Sequence, residues 1–233
     1  MRRSKLYKSQ VSSFESTARY TIKEALDALK AMPAVKFDQT VEAAFRLGID
    51  PRKSDQNVRG AVALPSGTGK SVRVAVVCDG PQAEAAAAAG ADFVGYEDLV
   101  EKIKNDWQEF DILIATPNAM KLVRPLGRQL GPRGLMPNPK TGTVTDAVGA
   151  AVREAKAGRA EFRADRGACV HVPIGKLSFA ADALKENFDA LSDAIQKARP
   201  VSAKGTYIIS CSVSATMTPG LKINLKELVR AAK

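Results

Sequence analysis

The chain has 233 residues, enough for one large domain or two small ones. Its 35 Lys and Arg against 25 Asp and Glu leave a net charge of +10, which points to a polyanionic partner such as nucleic acid, and 45% hydrophobic content excludes global disorder. One histidine excludes any site built on two, and three distant cysteines form neither a disulfide framework nor zinc-binding spacing, so no cofactor and no metal is expected.

In chain order, the start MRRSKLYKSQVSS is basic and lacks the apolar core of a secretory signal, so it reads as a short basic arm. No apolar run approaches the ~20 residues that span a bilayer. A cytoplasmic protein without a membrane partner is the expectation. Thr21 with Glu24 is a capping-box signal, and Ala25, Leu26, Leu29 and Met32 follow at helical spacing until Pro33. From Val35 the period changes to two, which predicts a strand through Leu47. Its apolar face holds Val35, Phe37, Val41, Ala43, Phe45 and Leu47, and its polar face Lys36, Asp38, Thr40, Glu42 and Arg46. A polar, turn-rich stretch over 50–60 precedes another strand.

The middle alternates. Strands are predicted over 71–78, 92–94 and 111–115, and helices over 83–89, 96–105 and 147–157. The segment 111–115 is almost wholly apolar, as a central parallel strand buried on both faces would be. This alternation implies a doubly wound α/β unit. In the last third, two strands over 160–163 and 169–172 flank a charged turn at Asp165, Arg166 and Gly167. A helix carries Leu184, Phe188, Leu191 and Ile195 on one face, and a strand over 206–214 leads through a turn at 215–220 to a last strand. Non-alternating strands and helices give an α+β domain.

Charge follows the same division. Residues 1–67 hold 12 bases and 7 acids, 68–159 hold 12 and 11, and 160–233 hold 11 and 7. If the ends fold together, they form a basic domain around a nearly neutral insertion. Within the insertion, 112–145 contains Lys121, Arg124, Arg128, Arg133 and Lys140 and no acid, a secondary basic patch.

Several motifs carry chemistry. Pro65 to Ser71 ends in Gly-Lys-Ser like a phosphate-binding loop, which would make a nucleotide-dependent enzyme using Gly67 to Ser71 the alternative function. Leu64 stands where that motif needs its first glycine, and a strand rather than a helix is predicted to follow. A Gly-rich connector is therefore favoured. His171 lies in a strand and has no second catalytic partner, and acids such as Glu97, Asp98 and Glu101 read as surface positions. The segment 126–138 (LGRQLGPRGLMPN) is expected to be held in turns, with Arg128 and Arg133 projecting toward phosphates. The tip at 215–220 offers hydroxyls and a thioether to exposed ribose and base surfaces.

These residues together resemble a known family. Lys36-Phe37-Asp38, the run from Leu47 to Arg52, the run from Ser54 to Gly60, and 126–138 match the bacterial large-subunit ribosomal protein L-one family, the proteins of the mobile ribosomal stalk. So do Glu161-Phe162-Arg163, Gly175-Lys176 and Thr216-Met217. The match runs from about Tyr20 to Asn224. The resemblance implies an α+β split domain built from both chain ends (1–67 and 160–233) and an inserted α/β Rossmann-like three-layer domain (68–159), joined by a two-strand hinge. It implies a non-enzymatic constituent of the large ribosomal subunit that binds the 23S rRNA stalk and assists movement and release of exit-site tRNA. It also implies repression of the family member's own operon through the mRNA leader. Its RNA-binding residues would be Lys36, Phe37, Thr40, Glu42, Arg163, Asp165, His171, Lys176, Thr216 and Met217. Lys36, Arg163 and Lys176 would meet phosphates, while Phe37 and Met217 would touch sugars and bases. Three departures stand out: Thr218 replaces a common glycine, Ser66 replaces a common histidine, and the N-terminal arm and the tail Lys226 to Lys233 do not match the family.

Overall fold

The computed structural model describes residues 3–15, 17–33 and 35–225, with Lys140 described by its backbone alone. The elements in chain order are α1 (Lys5–Ser12), α2 (Ile22–Ala31), β1 (Thr40–Leu47), β2 (Arg59–Ala63), β3 (Val74–Val77), α3 (Pro81–Ala88), β4 (Phe93–Gly95) and α4 (Glu97–Lys104). There follow β5 (Ile112–Ala115), α5 (Met120–Val123), α6 (Gly127–Leu130), α7 (Val148–Gly158), β6 (Arg159–Arg163), β7 (Cys169–Lys176), α8 (Ala181–Lys197), β8 (Ile208–Ala215) and β9 (Leu221–Lys222). Two compact units result, one from Met1–Gly69 with Ala160–Lys233 and one from Lys70–Arg159.

In the unit built from the chain ends, the segment read as a basic arm contains the helix α1. Ser4 Oγ accepts from Tyr7 N at 3.2 Å to cap α1, and buried Gln10 donates to the Pro33 carbonyl at 3.4 Å. The capping box at α2 is complete, with Glu24 N donating to Thr21 Oγ1 at 3.2 Å and Thr21 N to Glu24 Oε2 at 3.0 Å. An antiparallel sheet of order β7-β1-β8-β9 carries α2 and α8 on its inner face. Val41, Ala43, Phe45 and Leu47 of β1 point into that core, where Phe45 stacks on Phe188 of α8 at 5.8 Å. Leu184, Phe188, Leu191 and Ile195 are all fully buried, as their spacing predicts. Each such side chain contributes about 1.5–3 kcal/mol by leaving water.

Three expectations are corrected here. β1 starts at Thr40, not Val35, and Phe37 is 52% exposed rather than on the apolar face. The segment before β1 is held by a side chain instead of a ladder: Asp38 accepts from Ser178 N at 3.2 Å and from Ser178 Oγ at 2.8 Å. The two strands expected around the charged turn at 165–167 are both present and join different sheets. β6 pairs with β2 in a separate two-stranded sheet, while β7 joins β1.

The second unit has a parallel sheet of order β4-β3-β5. Val74 and Val76 of β3 face a cluster with Val148 and Val152 of α7, and Ala75 and Val77 face one with Leu99, Val100 and Ile103 of α4. Helices thus cover both faces, giving three layers. The third correction lies here: β3, not β5, is the central strand, and β5 has only a short bridge from Ala115 to Val144 on its outer side. Both are apolar runs, so composition could not order them. Two carboxylates secure the strand starts. Asp92 accepts from Val74 N at 2.8 Å and Lys156 at 3.2 Å, and Asp111 accepts from Arg73 N at 3.0 Å and Arg73 Nε at 3.3 Å. Backbone N–H donation, first of all, holds both carboxyls below their usual pKa.

Candidate RNA interface

The outward face of the four-stranded sheet follows from strand register. Thr40, Glu42, Ala44 and Arg46 of β1 alternate with the buried residues and point away from the core. On one side they meet Lys176, Pro173, His171 and Cys169 of β7, on the other Ser214, Ser212 and Ser210 of β8. Lys222 of β9 sits beside Ser212. The face is therefore a field of hydroxyls and cations with one carboxylate, and β9 extends it.

One end of this face is tied together by hydrogen bonds between residues distant in sequence. Thr40 N donates to Thr216 Oγ1 at 3.1 Å, and the Thr216 hydroxyl donates to the Thr40 carbonyl at 3.3 Å. Lys176 Nζ donates to Thr40 Oγ1 at 3.0 Å. Gln39, 2% exposed, accepts from Met217 N at 3.0 Å through Oε1, while its carbonyl accepts from Leu177 N at 2.8 Å. These bonds fix the segment 36–40, the end of β7 and the turn after β8 as one structure. They leave Met217 and Phe37 each 52% exposed, so two large apolar side chains stand in solvent beside Lys36, itself exposed. A Thr hydroxyl has two acceptor sites and one proton, and an ammonium three donors, so Thr40, Thr216 and Lys176 all retain bonding capacity.

The turn needs no glycine at 218. Ala215 N donates to Thr218 Oγ1 at 2.8 Å, and Thr218 N donates to the Ala215 carbonyl at 3.0 Å. Thr218 is not among the positive-φ residues, so its side chain caps the turn without strain.

Toward the other end lie the remaining expected residues. Glu42 is exposed at mid-strand, and His171 is exposed opposite Ala44. Arg163 is exposed at the end of β6, and Asp165 follows in the turn. The Asp165 carboxylate already serves the fold, accepting at Oδ1 from Gly167 N at 2.8 Å and Cys169 N at 2.7 Å. None of the ion pairs found among the described residues involves Lys36, Arg163 or Lys176; Lys36 and Arg163 are exposed, and Lys176 is half-buried against Thr40.

The secondary patch lies on the other unit. Lys121 of α5, with Arg124, Arg128 and Arg133, is exposed, and the side chain of Lys140 lies outside the described residues. The expectation of turns alone over 126–138 is corrected. Gly127–Leu130 forms one helical turn because Leu126 and Leu130 are buried, and irregular backbone follows only from Gly131, with Gly134 at φ 74°.

The Gly-Lys-Ser loop opens no helix; the next element after Ser71 is β3. Instead, fully buried Asn187 of α8 holds the connector, accepting from Ser66 N at 3.0 Å and donating to the Gly67 carbonyl at 2.9 Å and the Ile174 carbonyl at 2.7 Å. Sequence reading missed Asn187, Gln39 and Asp38 as anchors. A polar residue in a helix or beside a strand start carries no local sign of a distant partner. The outward serines Ser210, Ser212 and Ser214 were missed too, although their period-two spacing marks one face of the strand.

The chain matches the family described as Ribosomal protein L1p/L10e over residues 29–219. It belongs to that family. The resemblance carried by the sequence motifs is thus borne out. Relatives named large ribosomal subunit protein uL1 include that of Saccharophagus degradans, 56% identical over 227 residues and 97% of each chain. That of Lactobacillus acidophilus is 53% identical over 94% of this chain and 96% of its own. That of Protochlamydia amoebophila is 50% identical over 100% and 98%. Among the described residues, no helix of this family member is long and apolar enough to cross a membrane.

Proposed function

We propose that this chain is a non-enzymatic constituent of the large ribosomal subunit whose end-built unit binds the 23S rRNA stalk. The observation that carries this reading is the hydrogen-bonded junction of Thr40, Lys176 and Thr216, which sets Lys36, Phe37 and Met217 in solvent at one end of the outward sheet face. Rigid hydroxyls, unpaired cations and exposed apolar groups together suit RNA. Phosphates take Lys36, Arg163 and Lys176, while Phe37 and Met217 pack on sugars and bases. Thr40, Glu42, Thr216 and the β8 serines reach 2′-hydroxyls, and His171 and Asp165 extend the contact toward β6. Relatives named as large-subunit proteins at 50–56% identity support the same assignment.

Service to exit-site tRNA and repression of the operon mRNA leader belong to the same proposal. The first would draw on the Lys121, Arg124, Arg128 and Arg133 patch, the second on the rRNA surface itself. Sedimentation of tagged protein from cell extract tests the ribosomal role. Comigration with large subunits, reduced by Thr216→Ala, is expected; a wild-type protein found only in the free fraction would refute it.

A further inference from the structure

The turn after β6 brings three chemically different ligands together. A carboxylate oxygen of Asp165, the Sγ of Cys169 and a ring nitrogen of His171 all lie within 4.8 Å of one another. We propose that they form a Zn²⁺ site, with one oxygen, one thiolate sulfur and one imidazole nitrogen on the metal and the fourth position open to solvent. Zn²⁺ bonds of about 2.0 Å to oxygen and nitrogen and about 2.3 Å to sulfur place these tetrahedral ligand atoms roughly 3.3–3.5 Å apart. The three side chains therefore close in by no more than about 1.5 Å, which rotation about their χ angles supplies.

The backbone sets up this convergence. Cys169 and His171 are two residues apart on β7, so both side chains leave the same face of the sheet. His171 pairs with Ala44, whose small side chain leaves the imidazole room to turn. Asp165 is already oriented, because its Oδ1 accepts from Gly167 N and Cys169 N within the turn. Both Oδ1 lone pairs are thereby used, so its second oxygen is the acceptor left for a metal. Arg46 pairs with Cys169, and Arg163 and Arg166 are near in sequence. These cations disfavour a further positive charge beside them, which the Asp165 carboxylate offsets. A mixed thiolate, imidazole and carboxylate set selects a borderline-soft ion over Mg²⁺ or Ca²⁺, which want oxygen alone. On binding, the Cys169 S–H bond is broken and its proton passes to solvent, while Zn²⁺ exchanges bound waters for the three ligands.

The site stands independently of the RNA reading, though it shares Asp165 and His171 with that surface. The test titrates the reduced full-length chain with Co²⁺, followed by displacement with Zn²⁺. One Co²⁺ per chain is expected, with near-ultraviolet thiolate-to-cobalt absorption and visible bands of tetrahedral Co²⁺, both erased by Zn²⁺. Cys78 and Cys211 are buried, so the sulfur band reports Cys169. Cys169→Ala should abolish that band and weaken Zn²⁺ by at least the ~100-fold that loss of an outer-shell partner can cost. His171→Gln should weaken Zn²⁺ comparably while keeping a sulfur band at high Co²⁺. Absence of stoichiometric Co²⁺ binding, a band that survives Cys169→Ala, or unchanged Zn²⁺ affinity in His171→Gln would each overturn the assignment.

Discussion

Asn187→Ala is the most quantitative test of how the connector is held. The side chain is fully buried and makes three bonds, one to the buried Ile174 carbonyl and two to the half-buried Ser66 N–H and Gly67 carbonyl. A buried acceptor left without a partner costs about 1–3 kcal/mol, and each half-buried bond about 0.5–1.5 kcal/mol. Summed with a small cavity, the loss comes to roughly 3–5 kcal/mol. Asn187→Asp should lose at least as much at neutral pH, because it keeps the acceptor for Ser66 N but turns a buried oxygen toward two carbonyls. Urea unfolding by far-ultraviolet circular dichroism reads the change as a shifted midpoint at constant slope. The chain's one tryptophan, Trp107, lies in the other unit, so its fluorescence follows that unit separately. A loss below about 1 kcal/mol in Asn187→Ala would refute the claim that this side chain anchors the connector.

Other outcomes follow from the interface and from the strand-start carboxylates. Thr216→Ser should bind specific RNA nearly as the wild type does, and Thr216→Ala on the order of 10-fold more weakly, since the hydroxyl bonds to Thr40 total about 1–2 kcal/mol; equal behaviour of the two would show the hydroxyl to be idle. Phe37→Ala and Met217→Ala should change folding stability by less than about 0.5 kcal/mol, because both side chains are exposed. They should nonetheless weaken the stalk RNA more than random RNA, and equal losses on both would mean nonspecific contact only. Lys36→Ala should make the log affinity against log salt slope shallower by about 0.7–0.9, and an unchanged slope would remove Lys36 from the phosphate contacts. Asp92 and Asp111 have folded pKa values below the unfolded one near 3.9. Their stabilisation is present above that value and lost as pH falls through the folded pKa. Acid titration of Trp107 fluorescence should therefore show a flatter acid limb in Asp92→Asn and Asp111→Asn, and an unchanged limb would contradict the assignment.

Much of the fold was legible because local physics repeats itself. The capping box at Thr21, the four-residue apolar stripe of α8 and the strand–helix alternation of 71–157 need no distant information. The errors came where a distant partner decides. The period-two pattern ran back to Val35, yet the ladder begins at Thr40 because Asp38 bonds Ser178 instead of a neighbouring strand. Strands β6 and β7 are adjacent in sequence, and nothing local says that they join different sheets. The interface was legible as residue types, but the bonds that assemble it cross from 39–40 to 176–177 and 216–217. Family motifs supplied those positions; geometry then explained why Thr218 serves where glycine is common.

The most direct test of the central claim is competition binding of the purified chain to the stalk fragment of large-subunit rRNA against a scrambled RNA of equal length. The outward face described above predicts a preference of about 100-fold or more, near 2.7 kcal/mol. Equal affinity for the two RNAs would contradict site recognition by this surface.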